Sequence, residues 1–285
     1  MAIALAIFSA LCFGIALVTG RVGLRTLNAR SGAAISVPTA LALFALAAPF
    51  AFDPTGFNIE AAVMFAVVGA FFPALVTLIT FRSNERLGPT VTSAISGTAP
   101  LFALLAAGLF LDERIPPEAA IASLGVVVGV ALLSWNRSIA GPRFVGWSVL
   151  WPISGATIRG LAQVGAKAGL LLWANPFAAS LTGYTVSTVV VIGADRLGHS
   201  DRRSATRKSV GWFAATGVLN GMAVLLMYAA LSMAPVSLIA PVVATYPLIT
   251  ALLSRLVLHD EAVTARKAAG AVVTVAAIIY LIAST

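Results

Sequence analysis

Charge is scarce in this chain. Only 10% of its 285 residues are Asp, Glu, Lys or Arg, against 60% apolar residues and a mean hydropathy of +1.00. A soluble domain of this length exposes far more charge, so water is not the solvent for most of this surface. A single cysteine, Cys12, excludes a disulfide framework, a thiolate metal cluster or a CxxC redox pair within one chain, and it reads as a small core residue. There are two histidines, His199 and His259, far apart, with no HExxH or GxSxG around them. The nucleophiles, ligands and acid/base pairs of a membrane enzyme are thus missing, and no metal or cofactor is expected. Long polar stretches are missing too: the longest runs over 195–209, rich in Arg.

What is present is a series of apolar runs of ~20 residues, each able to cross ~30 Å of hydrocarbon at ~1.5 Å per residue. The runs fall near 2–20, 32–52, 59–81, 88–111, 117–135, 146–173, 176–194, 210–231, 234–258 and 264–283. Stretches such as 125–133 are continuously apolar rather than alternating, which favours helices over a barrel. The expected fold is therefore an all-α integral membrane protein of ten transmembrane helices, with the lipid bilayer as its first partner. Residues 2–20 lack a basic n-region and read as a span, not a signal peptide. Trp135, Trp147, Trp151, Trp173 and Trp212 all fall near predicted helix ends, where amphipathic rings sit at headgroup depth.

The net charge of +8 is spread through short loops, not gathered into a nucleic-acid-binding domain, and reads as a topology signal. Fourteen basic residues, from Arg21 to Lys267, fall on one side of the predicted spans and Arg114 alone on the other. The positive-inside rule makes the rich side cytoplasmic and puts both termini outside.

An offset of 146 pairs Gly14 with Gly160, Arg21 with Lys167, Gly23 with Gly169 and Pro89 with Pro235. Small insertions bring Pro100 onto Pro247 and Asp112–Glu113 onto Asp260–Glu261. The chain reads as two five-helix units, 1–140 and 146–285. Because each holds an odd number of spans, the second enters the membrane from the opposite side, an inverted repeat with a binding region between the halves.

The stretches 81–133 and 228–281 resemble the repeat unit of the drug/metabolite transporter superfamily, EamA type: Gly88-Pro89 or Ala234-Pro235 opening a helix, a mid-helix proline, an acidic pair and a final small-residue helix. Within that superfamily the chain resembles bacterial amino-acid exporters, including those for aromatic amino acids. The resemblance implies a transporter of the bacterial inner membrane that exports small metabolites by alternating access. Other metabolites or drugs, such as nucleosides and sugar phosphates, are the alternative cargo, and a channel is the nearest rival mechanism. Small multidrug exporters of the superfamily carry a glutamate in the first helix, and the matching 7–17 has none, which disfavours cationic substrates.

Arg159 is the one charge read deep inside a span, with Gln163 and Lys167 following at steps of four on the same face. A guanidinium in a water-filled cavity grips a carboxylate; the bland alternative is an arginine capping carbonyls of a broken helix. Lys167 reads as a snorkelling end residue. Phe13, Ser96, Tyr184, Asn220, Tyr228 and Tyr246 complete the expected substrate site, supplying aromatic surface and hydroxyls. Pro100 and Pro247 are expected to interrupt their helices at matched points and act as hinges.

Overall fold

The computed structural model describes residues 1–134, 150–196, 206–258 and 265–284. Trp135, Trp147, His199, His259 and the Asp260–Glu261 pair lie outside them. Among the described residues there is no strand. The helices are α1 (Ala2–Gly23), α2 (Ala29–Ala51), α3 (Ile59–Phe71), α4 (Ala74–Leu87), α5 (Pro89–Ser96), α6 (Ala99–Phe110), α7 (Pro117–Ser134), α8 (Leu150–Leu172), α9 (Pro176–Arg196), α10 (Arg207–Met233), α11 (Val236–Val243), α12 (Tyr246–Leu253) and α13 (Ala265–Ala283), with one π turn at Ser254–Leu258.

Among the described residues, seven stretches are long and apolar enough to cross a membrane: α1, α2, α3–α4 together, α5–α6 together, α9, α10, and Val236–Val257. Pro117–Leu133 and Ala268–Ala283 are apolar but shorter. α8 has the length, at 23 residues, but Arg159, Gln163 and Lys167 keep it outside the strongly apolar group.

Helix starts follow local chemistry. The side chains of Asn28, Asn58 and Asn175 accept from the backbone N–H groups of Ser31, Ala61 and Ala178 at 2.8, 3.0 and 2.9 Å, and Thr206 and Ser209 form a reciprocal capping box at the head of α10. Pro100 and Pro247 each occupy the first turn of the helix that follows a break, α6 after Gly97–Thr98 and α12 after Ala244–Thr245. A proline fits there because first-turn N–H groups have no intrahelical partner. The breaks expected from these prolines are present, two to three residues upstream of each ring. A third break, at Phe72–Pro73 between α3 and α4, falls inside what the sequence reads as one continuous span.

α1 and α10 run antiparallel in close contact. Ser9 Oγ donates to the Ala223 carbonyl at 2.7 Å, the hydroxyls of Thr19 and Thr216 lie 2.9 Å apart, and Gly23 admits the Phe213 ring. α7 packs on α13 through Gly129, where a Cβ would meet the Gly270 carbonyl oxygen at 2.7 Å. Without a hydrophobic drive between helices in lipid, such small-residue contacts are what let helix backbones approach and gain dispersion contact. The GxxxG spacings serve this purpose: Gly125 meets Ala277, Gly165 and Gly169 meet Val68 and Phe65, and Gly217 and Gly221 meet Ser36 and Ala40.

Two sequence expectations change. Trp173 is not a headgroup ring: it is 5% exposed, donates its indole N–H to the Thr55 carbonyl at 3.0 Å and packs against Phe52, Phe57 and Phe65. Lys167 does not snorkel freely. Its Nζ donates to the carbonyls of Leu231 and Ala234 at 2.7 and 3.1 Å, in the last turn of α10 and at the residue that follows it.

Candidate functional site

A narrow central cavity, with a free volume of about 30 Å³, lies among α1, α4, α8, α9 and α10. Its wall is Phe13, Ala16 and Leu17 from α1; Phe72 and Pro73 at the α3–α4 break; Val76, Thr77, Thr80 and Phe81 from α4; Arg159 from α8; Tyr184 from α9; and Asn220 and Val224 from α10. No lining residue is acidic.

Arg159 dominates the field of this space. It is 8% exposed, and its guanidinium carbon stands 4.9 Å from the Phe13 ring centre, 5.5 Å from that of Tyr246 and 5.8 Å from that of Phe72. Three rings thus surround one planar cation. Nε and Nη1 are buried without a hydrogen-bond partner. Arg159 therefore does not cap the broken α5–α6 helix. Its neighbour Gly160 meets that helix instead, with a Cβ position 2.8 Å from the Ala99 carbonyl oxygen.

Other unpaired polar atoms lie close by. The Tyr184 hydroxyl, fully enclosed, has no hydrogen-bond partner, and its ring packs 5.4 Å from Phe44. Tyr184 lies within electrostatic reach of both Arg159 and Tyr228. Gln163, one turn from Arg159, is 2% exposed and its Oε1 is unpartnered. The Tyr246 hydroxyl has Ser96 beside it across the two broken helices.

Of the residues singled out from sequence, Phe13, Arg159, Tyr184 and Asn220 line the cavity directly. Tyr246 joins through its ring on Arg159, with Ser96 behind it. Gln163 and Tyr228 are buried just outside the lining, and Pro100 and Pro247 set the breaks that carry Ser96 and Tyr246. Missed in the sequence were Phe72, Thr77, Thr80 and Asn84, all on or beside α4. Asn84 is fully buried, donates Nδ2 to the Leu17 carbonyl at 3.0 Å and leaves Oδ1 unpartnered. The signal available was Pro73, with Thr77 and Thr80 at steps of four and three past it, on a helix that runs on to Leu87.

Chemically, the cavity offers buried donors on a fixed cation, aromatic surface and hydroxyls, and no nucleophile beside a base; no group of three or more His, Cys, Asp or Glu that could hold a metal occurs among the described residues. Such a site binds and orients a small polar molecule.

Comparison with known proteins gives the same direction. A solved crystal structure at 14% identity superposes with a TM-score of 0.79 over 98% of this chain and 95% of its own, a likeness of fold. No curated protein matches in a sequence search. The model of the EamA-like transporter family matches twice, over residues 1–135 and 146–283. With nearly the whole length covered, this chain is a multi-pass membrane protein that belongs to the EamA-like transporter family.

Proposed function

We propose that this transporter is a secondary, alternating-access carrier that exports free amino acids, neutral or aromatic, across a bacterial plasma membrane. The observation that carries the substrate class is Arg159: a guanidinium 8% exposed, with two nitrogens lacking a partner, on the wall of a cavity that has no acidic residue. A buried cation without an anion carries a large desolvation cost. The rings of Phe13, Phe72 and Tyr246 surround it, while Nε and Nη1 stay unpaired, as a ligand carboxylate requires. An amino acid supplies that carboxylate, its ammonium finds hydroxyls such as Tyr184 and the Asn220 amide, and an aromatic side chain finds ring surface.

Sugar phosphates fit less well. A dianion calls for a second deep cation, and the nearest on α8, Lys167, is eight residues or ~12 Å along the helix and already held by two carbonyls.

We assign ten crossing helices to this carrier, with α7, α8 and α13 completing the set, arranged as two inverted five-helix units, 1–140 and 146–285. Supporting this are the double family match and paired contacts. Gly14 meets the backbone before Pro247 as Gly160 meets the backbone before Pro100, and Arg21 and Lys167 each reach last-turn carbonyls of a neighbouring helix.

Flux of a radiolabelled amino-acid panel into proteoliposomes tests the reading. Arg159→Gln should lose most amino-acid transport, the equivalent of ~2–5 kcal/mol of pairing for a desolvated contact. Arg159→Lys should recover part, since a point charge does not reproduce the planar fork. Parental rate and half-saturation in Arg159→Gln would reject the carboxylate site.

A further inference from the structure

Two cations sit at opposite ends of the bundle doing the same job. Arg21, in the last turn of α1, donates Nη1 to the carbonyls of Asn84 and Glu85 in the last turn of α4, at 2.7 and 3.0 Å. Lys167 donates to the carbonyls of Leu231 and Ala234 at the end of α10. A helix C-terminus carries partial negative charge on its unpaired carbonyls, so each cation joins its own helix to the end of another. The antiparallel contacts of α1 and α10 place these ends. Arg21 lies near Gly23, which abuts Phe213, whereas Leu231 is eighteen residues further along α10, ~27 Å away, about one hydrocarbon thickness.

Each cation is carried by a helix that lines the central cavity, α1 for Arg21 and α8 for Lys167. At the Arg21 end, Phe81 in the cavity wall packs on Phe213 at 5.5 Å, and the hydroxyls of Thr19 and Thr216 meet between α1 and α10. At the Lys167 end, an open surface pocket of about 360 Å³ holds Lys167, Glu113 and Ser232 in its wall. Along α8, Gln163 lies between Arg159 and Lys167, one turn from each and with an unpartnered buried oxygen. The α10–α11 corner at this mouth is gripped from both sides. Lys167 holds the end of α10, while the Glu113 carboxylate accepts from the N–H groups of Val236 and Ser237 at 3.1 and 2.8 Å and from the Ser237 hydroxyl, at the start of α11.

We propose that Arg21 and Lys167 are the latches of two opposed gates, each holding one end of the central cavity shut, with Glu113 fixing the corner on which Lys167 closes. Both sets of bonds are made in this structure. Opening at the Arg21 end parts α1 from α4 and breaks the bonds to Asn84 and Glu85; opening at the Lys167 end parts α8 from the α10–α11 corner. Substrate identity does not enter, so the latches stand or fall separately from the carboxylate reading of Arg159.

The test is sided thiol labelling. In a Cys12→Ser background, Thr77→Cys places a reporter on the cavity wall, and a membrane-impermeant methanethiosulfonate is applied from one face at a time to oriented proteoliposomes. Lys167→Gln should speed labelling from the Lys167 face by at least about fivefold, the lower range of typical coupling between sites, with no gain from the other face. Arg21→Gln should do the reverse. Glu113→Gln should follow Lys167→Gln in side, and Lys167→Arg and Arg21→Lys should stay near the parental rates. Equal acceleration from both faces, or none, overturns the proposal. So does a glutamine variant that cannot be obtained folded, since that makes the cation a structural prop.

Discussion

Gly160 on α8 lies so close to α6 that a Cβ on it would stand 2.8 Å from the carbonyl oxygen of Ala99, the residue before Pro100. Gly14 on α1 meets α12 likewise, its Cβ position 3.0 Å from the carbonyl of Tyr246, the residue before Pro247, and 2.6 Å from the Ile249 Cβ. Each proline-broken helix is thus pressed against a glycine next to the cavity, and Arg159 and Phe13 are the residues immediately before those glycines.

Substituting either glycine should push a broken helix away from the site. Gly160→Val faces backbone atoms of Ala99 and Ala103, which cannot rotate aside, so a loss of ~1–3 kcal/mol of stability is expected, read as a lower melting temperature in detergent. Gly193→Ala, inside α9 at a position with nothing within 4 Å, should leave stability equal or slightly higher and serves as the control.

Pro100→Ala and Pro247→Ala restore a backbone donor at each break and favour a continuous helix. Transport should slow several-fold while substrate affinity stays within a few-fold, because gating motions set turnover in many such systems. Rates and half-saturation constants measured in proteoliposomes check this, and normal turnover in both variants would remove the hinge role.

Tyr184→Phe separates ligand binding from folding. Its hydroxyl is buried without a partner, so removing it costs no hydrogen bond within the protein and should leave stability equal or higher. If the hydroxyl meets substrate, half-saturation rises while the melting temperature does not fall. A fall in melting temperature with unchanged transport would make Tyr184 structural.

Orientation follows from loop charge. With Arg21, Arg25, Arg30, Arg82, Arg86 and Arg196 on one side and Arg114 on the other, the rich side should be cytoplasmic. Arg255, exposed in the π turn, adds to the rich side. A reporter fused after the last residue and active only in the cytoplasm should stay silent; activity there would reverse the topology.

Composition and periodicity alone determined that this chain is helical and membrane-embedded, because a helix in lipid must satisfy its backbone within itself and cover ~30 Å with apolar side chains. Helix positions among the described residues were legible to within a few residues, except that α4 runs to Leu87 rather than ending near 81, because Arg82 and Glu85 ended the apolar run early. The breaks at Pro100 and Pro247 were legible because a missing N–H is a local fact. Proline alone does not dictate a break, however: Pro38, Pro49 and Pro241 sit inside helices. Arg159 stood out from the cost of a charge at depth. Only the tertiary structure decided what surrounds it, since Phe13, Phe72 and Tyr246 come from three distant segments with no spacing in common. The same holds for Lys167 and Trp173. Helical spacing shows which residues share a face but not which neighbour that face meets, and so the carbonyls that hold Lys167 and the phenylalanines that enclose Trp173 could be named only once the helices were packed.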